Sequence, residues 1–294
     1  MLADLPWNVI VLQLFFGLAL GCVYVLLASG LSIIYGLLDV VNFAHGTFAM
    51  LGAYAVFMAV SMSDSFFVGI VSAIVIVGLF GALTEFLLLK PLYGKDPLLP
   101  LLLTFGLSIA IPDGMKILFG LIGKPVGYPG ALSGATLFGP IILPNYRLFI
   151  ILFTLLTMIS LWFFLKKSDL GMIIRASTRD SLMVQVLGVN VSRIWTIGFA
   201  LGTGLAALGG AIAVPMMSAT PDMGVDMTMV AFVVTVVGGL GSLGGAIVGG
   251  LFIGLVVAVT CLIAGEYATV SMYFCMAVIL LVRPRGLFGE LGRE

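Results

Sequence analysis

The only histidine of the chain, His45, follows Asn42 by three residues in the run Asp39-Val40-Val41-Asn42-Phe43-Ala44-His45-Gly46, the most polar element of an otherwise apolar first half. Three apart on a helix, the two side chains would share a face, and Gly46 would let a neighbour approach. What this pair offers is hydrogen bonding, and two readings stand side by side. In one, Asp39 or Asn42 caps a helix and His45 bonds a backbone carbonyl across an interface. In the other, Asn42, His45 and Gly46 line a path through a wet interior. Chemistry of other kinds finds few residues to support it. No serine or acid is placed to build a Ser-His-Asp site around His45. The fragments Gly94-Lys95-Asp96 and Gly123-Lys124-Pro125 lack the spacing and the hydroxyl of a phosphate loop, so the chain is not expected to hydrolyse ATP. Cys22, Cys261 and Cys275 sit in apolar runs and read as small buried hydrophobes, not as disulfides or metal ligands. Asp113 and Lys116 are three apart and expected to pair, while Glu85 and Glu266 are expected at interfaces. The expectation is a non-enzyme with no catalytic residue, no metal and no cofactor of its own.

The elements that position these groups follow from composition. Of 294 residues, 62% are hydrophobic and 9% charged, against about 25% charged in soluble domains. The chain therefore reads as an all-α integral membrane protein, one domain over residues 1–294. Its zero net charge argues against nucleic acid as a partner. Apolar runs of bilayer length, roughly 20 residues, occur at about 9–34, 40–60, 66–89, 98–119, 147–165, 195–217, 243–263 and 266–282, with a shorter one at 227–241. Eight or nine transmembrane helices are expected. The first run is too long for a signal-peptide core and is expected to remain. Lys90 and Lys95, the segment from Lys166 to Arg193, and a tail with Arg283, Arg285 and Arg293 hold ten of the 13 basic residues, which places these three on the cytoplasmic side. Asp64, Asp222, Asp226, Glu266 and the N-terminus then fall outside, as does a Gly/Pro-rich excursion over residues 120–145.

Glycine numbers 38 and recurs at the spacing of close helix packing. Gly17-Leu18-Ala19-Leu20-Gly21 and Gly198-Phe199-Ala200-Leu201-Gly202 resemble each other and run in opposite directions by the charge argument, the pattern of an inverted repeat. The cluster Gly238-Gly239-Leu240-Gly241-Ser242 is expected to break a helix, and there Gly239, Gly241 and Ser242 are candidates for a substrate path; a plain cytoplasmic turn is the competing account. Residues 166–194 form a basic loop in which Leu182, Met183, Val186 and Leu187 make an apolar stripe on a short helix from Thr178 to Leu187, closed by Gly188. Such a helix fits a groove on a partner protein, with a surface helix on membrane lipid as the alternative.

Three separated motifs resemble the permease subunits of branched-chain amino acid ABC transporters. They are Asn42-Phe43-Ala44-His45-Gly46 with Gly52-Ala53-Tyr54, then Gly171-x-x-x-Arg175-Ala176-x-x-x-Asp180-x-x-Met183-x-x-x-x-Gly188-Val189-Asn190, and Gly238-Gly239-Leu240-Gly241-Ser242-Leu243-Gly244-Gly245-Ala246. The resemblance implies that residues 166–194 are the coupling loop, with Gly171, Arg175, Ala176, Asp180, Met183 and Gly188 meeting a cytoplasmic ATPase that binds ATP and Mg. It also implies two such ATPases, a second permease subunit in a heterodimer, an extracytoplasmic substrate-binding protein, and a place in the bacterial inner membrane. The cargo implied is a branched-chain amino acid, with urea, amides or other organic acids carried by relatives; an ATP-independent secondary transporter or channel is the rival class. Val184 stands where the family often has alanine, and Val230 where many members have lysine.

Overall fold

The computed structural model describes residues 6–139 and 141–289. Arg293, counted above in the basic tail, lies outside the described residues. Helices α1 (Trp7–Leu38), α2 (His45–Ser63) and α3 (Phe66–Thr84) come first, and α3 continues through a π turn (Glu85–Leu89) and a 3-10 turn (Lys90–Leu92). After α4 (Leu98–Phe119) the chain forms a hairpin of β1 (Ala135–Phe138) and β2 (Ile141–Pro144), paired antiparallel with Ala135 opposite Pro144. Then follow α5 (Asn145–Lys167), α6 (Asp169–Arg179), α7 (Ser181–Val186), α8 (Val191–Ala213), α9 (Met223–Gly238), α10 (Leu243–Ala264) and α11 (Ala268–Val282).

Seven helical stretches are long and apolar enough to cross a membrane, with residues 243–282 taken as one of 40 residues. Forty helical residues would rise about 60 Å, twice a bilayer's hydrocarbon core. The chain instead turns back through a 3-10 turn at Gly265–Tyr267, and α10 and α11 pack on each other. Helix α9, at 16 residues, is a shorter apolar helix. The expected eight or nine spans thus resolve into seven long stretches, one of them a helical pair, plus α9.

Small residues decide which helices touch. Helices α1 and α8 lie antiparallel, since Leu37 meets Gly198, Gly30 meets Gly202 and Leu27 meets Gly209. The two similar glycine segments therefore run in opposite directions, as expected, but hold different partners: Gly17 and Gly21 back onto Gly254 and Gly250 of α10, whereas Gly202 backs onto Gly30 and Ile34 of α1. Helix α8 also takes α2 through Ala207 and Gly210, and α3 through Thr203 against Gly81. Attraction between these helices comes from close van der Waals contact, because their lipid-facing sides are apolar as well.

The basic segments gather at one end of the bundle. Gly36 near the end of α1 lies beside Thr178 of α6 and Gly241 after α9. The tail reaches the same place, where Leu287 and Phe288 donate their amides to the Val237 and Gly238 carbonyls at 2.9 Å each, satisfying the end of α9.

Candidate functional site

The run expected as a helix from residue 40 is not helical there. Helix α1 stops at Leu38 with Asp39 in the left-handed region (φ 52°), and α2 begins only at His45. Residues 39–44 are irregular and buried inside the bundle at Asn42 and Ala44. Non-helical backbone at membrane depth is tolerated where protein or a wet cavity covers it, and here threonines do so. Thr104 Oγ1 of α4 accepts from the Phe43 amide (3.3 Å) and lies 3.4 Å from the Val41 carbonyl. Thr228 Oγ1 of α9 accepts from the Gly46 amide (3.0 Å) and lies 2.8 Å from the Gly224 carbonyl. Phe43 stacks on Phe232, with centroids 5.3 Å apart, and meets Phe105 edge-on.

Asn42 and His45 are both fully buried. Neither Asp39 nor Asn42 is the side-chain cap of α2: Asp39 ends α1, and Asn42 Oδ1 accepts from the Ala44 amide (3.1 Å) one residue ahead of the helix. His45 Nε2 lies 2.9 Å from the Leu27 carbonyl, in the middle third of α1. A carbonyl only accepts, so Nε2 carries the proton and Nδ1 is left as an acceptor. Among the described residues Asn42 Nδ2 and His45 Nδ1 have no hydrogen-bond partner. One unpaired donor and one unpaired acceptor thus sit on neighbouring turns where the bundle begins a new helix. Gly46 completes the arrangement by backing onto Gly224 and Thr228.

Gly239, Gly241 and Ser242 are not brought to this place. They form a turn at the basic end, with Gly239 at φ 105° and Gly241 at φ 78°, after which Ser242 Oγ caps α10 by accepting from the Gly245 amide (3.0 Å). Gly239 follows Thr228 by eleven residues, about 16 Å along a helix axis. The glycine cluster is thus a tight connection between α9 and α10, made possible because Gly238 and Gly245 meet backbone to backbone. Gly241 and Ser242 line, together with Tyr35, Thr178, Arg179 and Arg285, a cavity of about 620 Å³.

The basic loop is two helices, and the expected single helix from Thr178 to Leu187 is corrected. Helix α6 runs earlier, from Asp169, and ends at Arg179; Asp180 is extended (φ −151°) and its Oδ1 accepts from the Met183 amide (2.8 Å) as the cap of α7. An aspartate followed by serine is a cap signal that the apolar stripe obscures. Each motif residue has a position set by physics. Gly171 lets α6 fold back onto the Phe164 carbonyl and Leu165 of α5. Gly188 (φ 84°) ends α7 in a Schellman arrangement, with Gly188 N–H on the Gln185 carbonyl (2.9 Å) and Val189 N–H on that of Val184 (3.3 Å). Asn190 Oδ1 then caps α8 at the Arg193 amide (3.2 Å). Arg175, Ala176, Asp180 and Met183 are exposed, as are Leu182, Val186 and Leu187. Val184 is buried beneath them.

Three further findings revise the sequence reading. Lys116 pairs with Asp113 (3.2 Å), as expected, and also with Asp222 ahead of α9 (3.2 Å). Cys261 is exposed on α10 and Cys275 half-buried, so only Cys22 is a buried hydrophobe. Glu85, at the loop-side end of α3, is fully buried within the protein: Tyr93 donates to one carboxyl oxygen (2.9 Å) and Thr196 of α8 to the other (2.5 Å). Burial first, and the Glu85 charge next, hold the Tyr93 hydroxyl well above the usual phenol range, so it remains a donor. The sequence offered one signal for these residues, hydroxyls inside apolar helices.

Comparison with known proteins adds a family match over residues 13–283, to a model described as branched-chain amino acid transport system, permease component. The chain is 31% identical to the high-affinity branched-chain amino acid transport system permease protein BraD of Pseudomonas aeruginosa, over 95% of each chain. It is 30% identical to the permease protein LivH of Escherichia coli K12, again over 95% of each. The ribose import permease protein RbsC of Haemophilus influenzae is 27% identical over 81% of this chain and 71% of its own. No solved structure matches.

Proposed function

Because the chain belongs to the permease-component family of branched-chain amino acid transport systems, we propose that it is one membrane-spanning subunit of an ATP-driven importer for a small zwitterion, a branched-chain amino acid by preference. It is a multi-pass protein of the inner membrane and a transport subunit, not an enzyme. The observation that carries the cargo reading is the pair of spare hydrogen-bonding atoms at the start of α2. Asn42 Nδ2 donates and suits a carboxylate; His45 Nδ1 accepts and suits an ammonium group. A path with few fixed charges accepts such a molecule without an unbalanced ion in low dielectric. The same two atoms also suit an amide such as urea, which is the second reading.

The drive comes from outside the chain. Two partner ATPases bind ATP and Mg, close on the exposed apolar face of α6 and α7, and reopen after hydrolysis. The loop passes that rigid-body motion to the spans, which alternate access around the α2 break. A second permease subunit completes the path, and an extracytoplasmic binding protein delivers the cargo. Reconstitution of all these components in vesicles gives ATP-dependent uptake, and Arg175→Glu abolishes it while the protein still inserts. Uptake by this chain alone in an ion gradient overturns the reading. Thermal-shift screening of the binding protein against amino acids and amides separates the two cargo classes.

A further inference from the structure

The buried Glu85 is unused by the reading above, and its surroundings are specific. Helix α3 is regular to Thr84, widens into a π turn at Glu85–Leu89 and tightens into a 3-10 turn at Lys90–Leu92. Single π turns inserted in helices are frequent at functional sites, since the extra residue re-aims a side chain. Here the re-aimed side chain is a carboxyl with no exposed surface. No Lys, Arg or His lies within ion-pair distance of it among the described residues. Its two oxygens are instead divided between two hydroxyls from different elements: Tyr93, in the connection after α3, and Thr196, six residues into α8. The Tyr93 ring stands edge-on against Trp195, centroids 4.9 Å apart. Among the described residues the buried Trp195 Nε1 and Ser192 Oγ in the same first turns of α8 have no hydrogen-bond partner.

An uncompensated buried carboxyl is a costly way to join two helices. Higher up, α3 and α8 are already joined without it by Gly81 against Thr203 and Gly78 against Ala200. Stability alone therefore gives no reason for Glu85. Its position does: α8 starts at the Asn190 cap, directly after the loop that receives the partner's motion. We infer that Glu85 is a positioning residue of the transport cycle, clamping the loop-side ends of α3 and α8 together so that a displacement entering α8 moves both helices as one. One hydrogen bond of the clamp, from Thr196, crosses to α8, and the other, from Tyr93, fixes the carboxyl while the Tyr93 ring packs on Trp195. Both are strong because the acceptor is a carboxyl in a dry site, and directional in a way that glycine packing is not. Without it, the first turns of α8 tilt against α3 when the loop is pushed, and ATP is spent without opening the path.

This inference rests on the ATP-driven reading. The test uses the full assembly of permeases, ATPases and binding protein in vesicles, with uptake and ATP hydrolysis measured on the same preparation. Thr196→Val keeps shape and removes one donor; Tyr93→Phe removes the other; Glu85→Gln keeps the volume with one acceptor fewer. The expected result is a fall in cargo moved per ATP in each variant, on the order of fivefold to tenfold, the lower range of coupling between distant sites. Thr196→Ser, which retains the hydroxyl, restores the wild-type ratio. If uptake and hydrolysis fall in proportion, along with melting temperature, Glu85 is structural and the inference is overturned. An unchanged ratio in all three variants overturns it equally. A wild-type assembly without any ATP-dependent uptake refutes the coupling reading itself, and this inference with it.

Discussion

Replacing Gly46 by alanine tests how closely the start of α2 is bound to α9. A β-carbon there meets the Gly224 carbonyl and the Thr228 amide, and lies 2.5 Å from Thr228 Oγ1, where ordinary contact begins at 3.4 Å. The obstruction is mostly backbone, so no side-chain rotation relieves it and α2 and α9 must separate. Overpacking of this kind costs about 1–3 kcal/mol. Separation also strains the 3.0 Å bond from the Gly46 amide to Thr228 Oγ1, and interhelical hydrogen bonds in membrane proteins average about 0.6 kcal/mol. The expected loss is therefore about 2–4 kcal/mol, read as thermal unfolding of purified protein in detergent. Uptake falls with it, since Asn42 and His45 are placed by the same contact. Two controls bracket the result. Thr228→Val keeps the packing but removes the Oγ1 contacts to the Gly46 amide and to the Phe43 and Gly224 carbonyls, leaving the amide unpaired, and costs about 1–2 kcal/mol. Gly106→Ala on α4, whose β-carbon has nothing within 4 Å, leaves stability unchanged or slightly raised. Gly46→Ala with wild-type melting, or Gly106→Ala as damaging as Gly46→Ala, would refute the packing argument.

The basic loop, residues 166–194, gives three more expectations. Asp180→Ala removes the cap of α7, worth about 1 kcal/mol, and amide exchange over residues 181–187 accelerates about fivefold by hydrogen-exchange mass spectrometry. Gly188→Val forces a β-branched residue to φ 84° at a cost of about 1–2 kcal/mol, and protease cleavage within the loop increases while the spans stay intact. Val184→Ala leaves a small void under α7, lowers melting by an amount equal to about 1–2 kcal/mol, and leaves stimulated ATP hydrolysis near wild type, because the side chain faces inward.

Helix packing and the basic end were legible because each rests on local chemistry, and the caps, equally local, were missed, since the two residues expected to cap α2, Asp39 and Asn42, do not. Ser168, Asp180, Asn190 and Ser242 each accept from an amide three residues on, a spacing the chain writes directly. The loop's division into α6 and α7 was legible too, but the apolar stripe from Leu182 to Leu187 outweighed the aspartate that interrupts it. The start of α2 was not. Residues 40–44 are apolar enough to continue a helix, but their irregular backbone is satisfied at Phe43 by the hydroxyls of Thr104 and Thr228, 61 and 185 residues away. The burial of Glu85 was not legible for the same reason. Its nearness in sequence to Lys90 suggests an interface, whereas burial is set by Tyr93 and Thr196 folding over it. Long-range partners of single hydroxyls leave no periodic trace.

On the coupling reading proposed above, helix α8 is the element through which a force on the loop reaches the α2 break. Its first turn is capped by the loop's own Asn190, and its length is held by close contacts to three other helices: Gly202 to α1 and Ala207 and Gly210 to α2 through backbone, and the Thr203 side chain to Gly81 of α3. Such close contacts are stiff where backbone meets backbone, as at Gly52–Ala207 and Ala49–Gly210, since no side chain there can yield. A tilt of α8 therefore carries α2 at Ala49 and Gly52, a turn beyond His45, while α9 holds Gly46 from the other side through Thr228. The irregular residues 39–44, with no helical hydrogen-bond ladder to resist shear, are where the two movements differ. On the proposed reading that difference reaches the buried Asn42 and His45, so the tight glycines transmit motion stiffly and the compliance lies in residues 39–44.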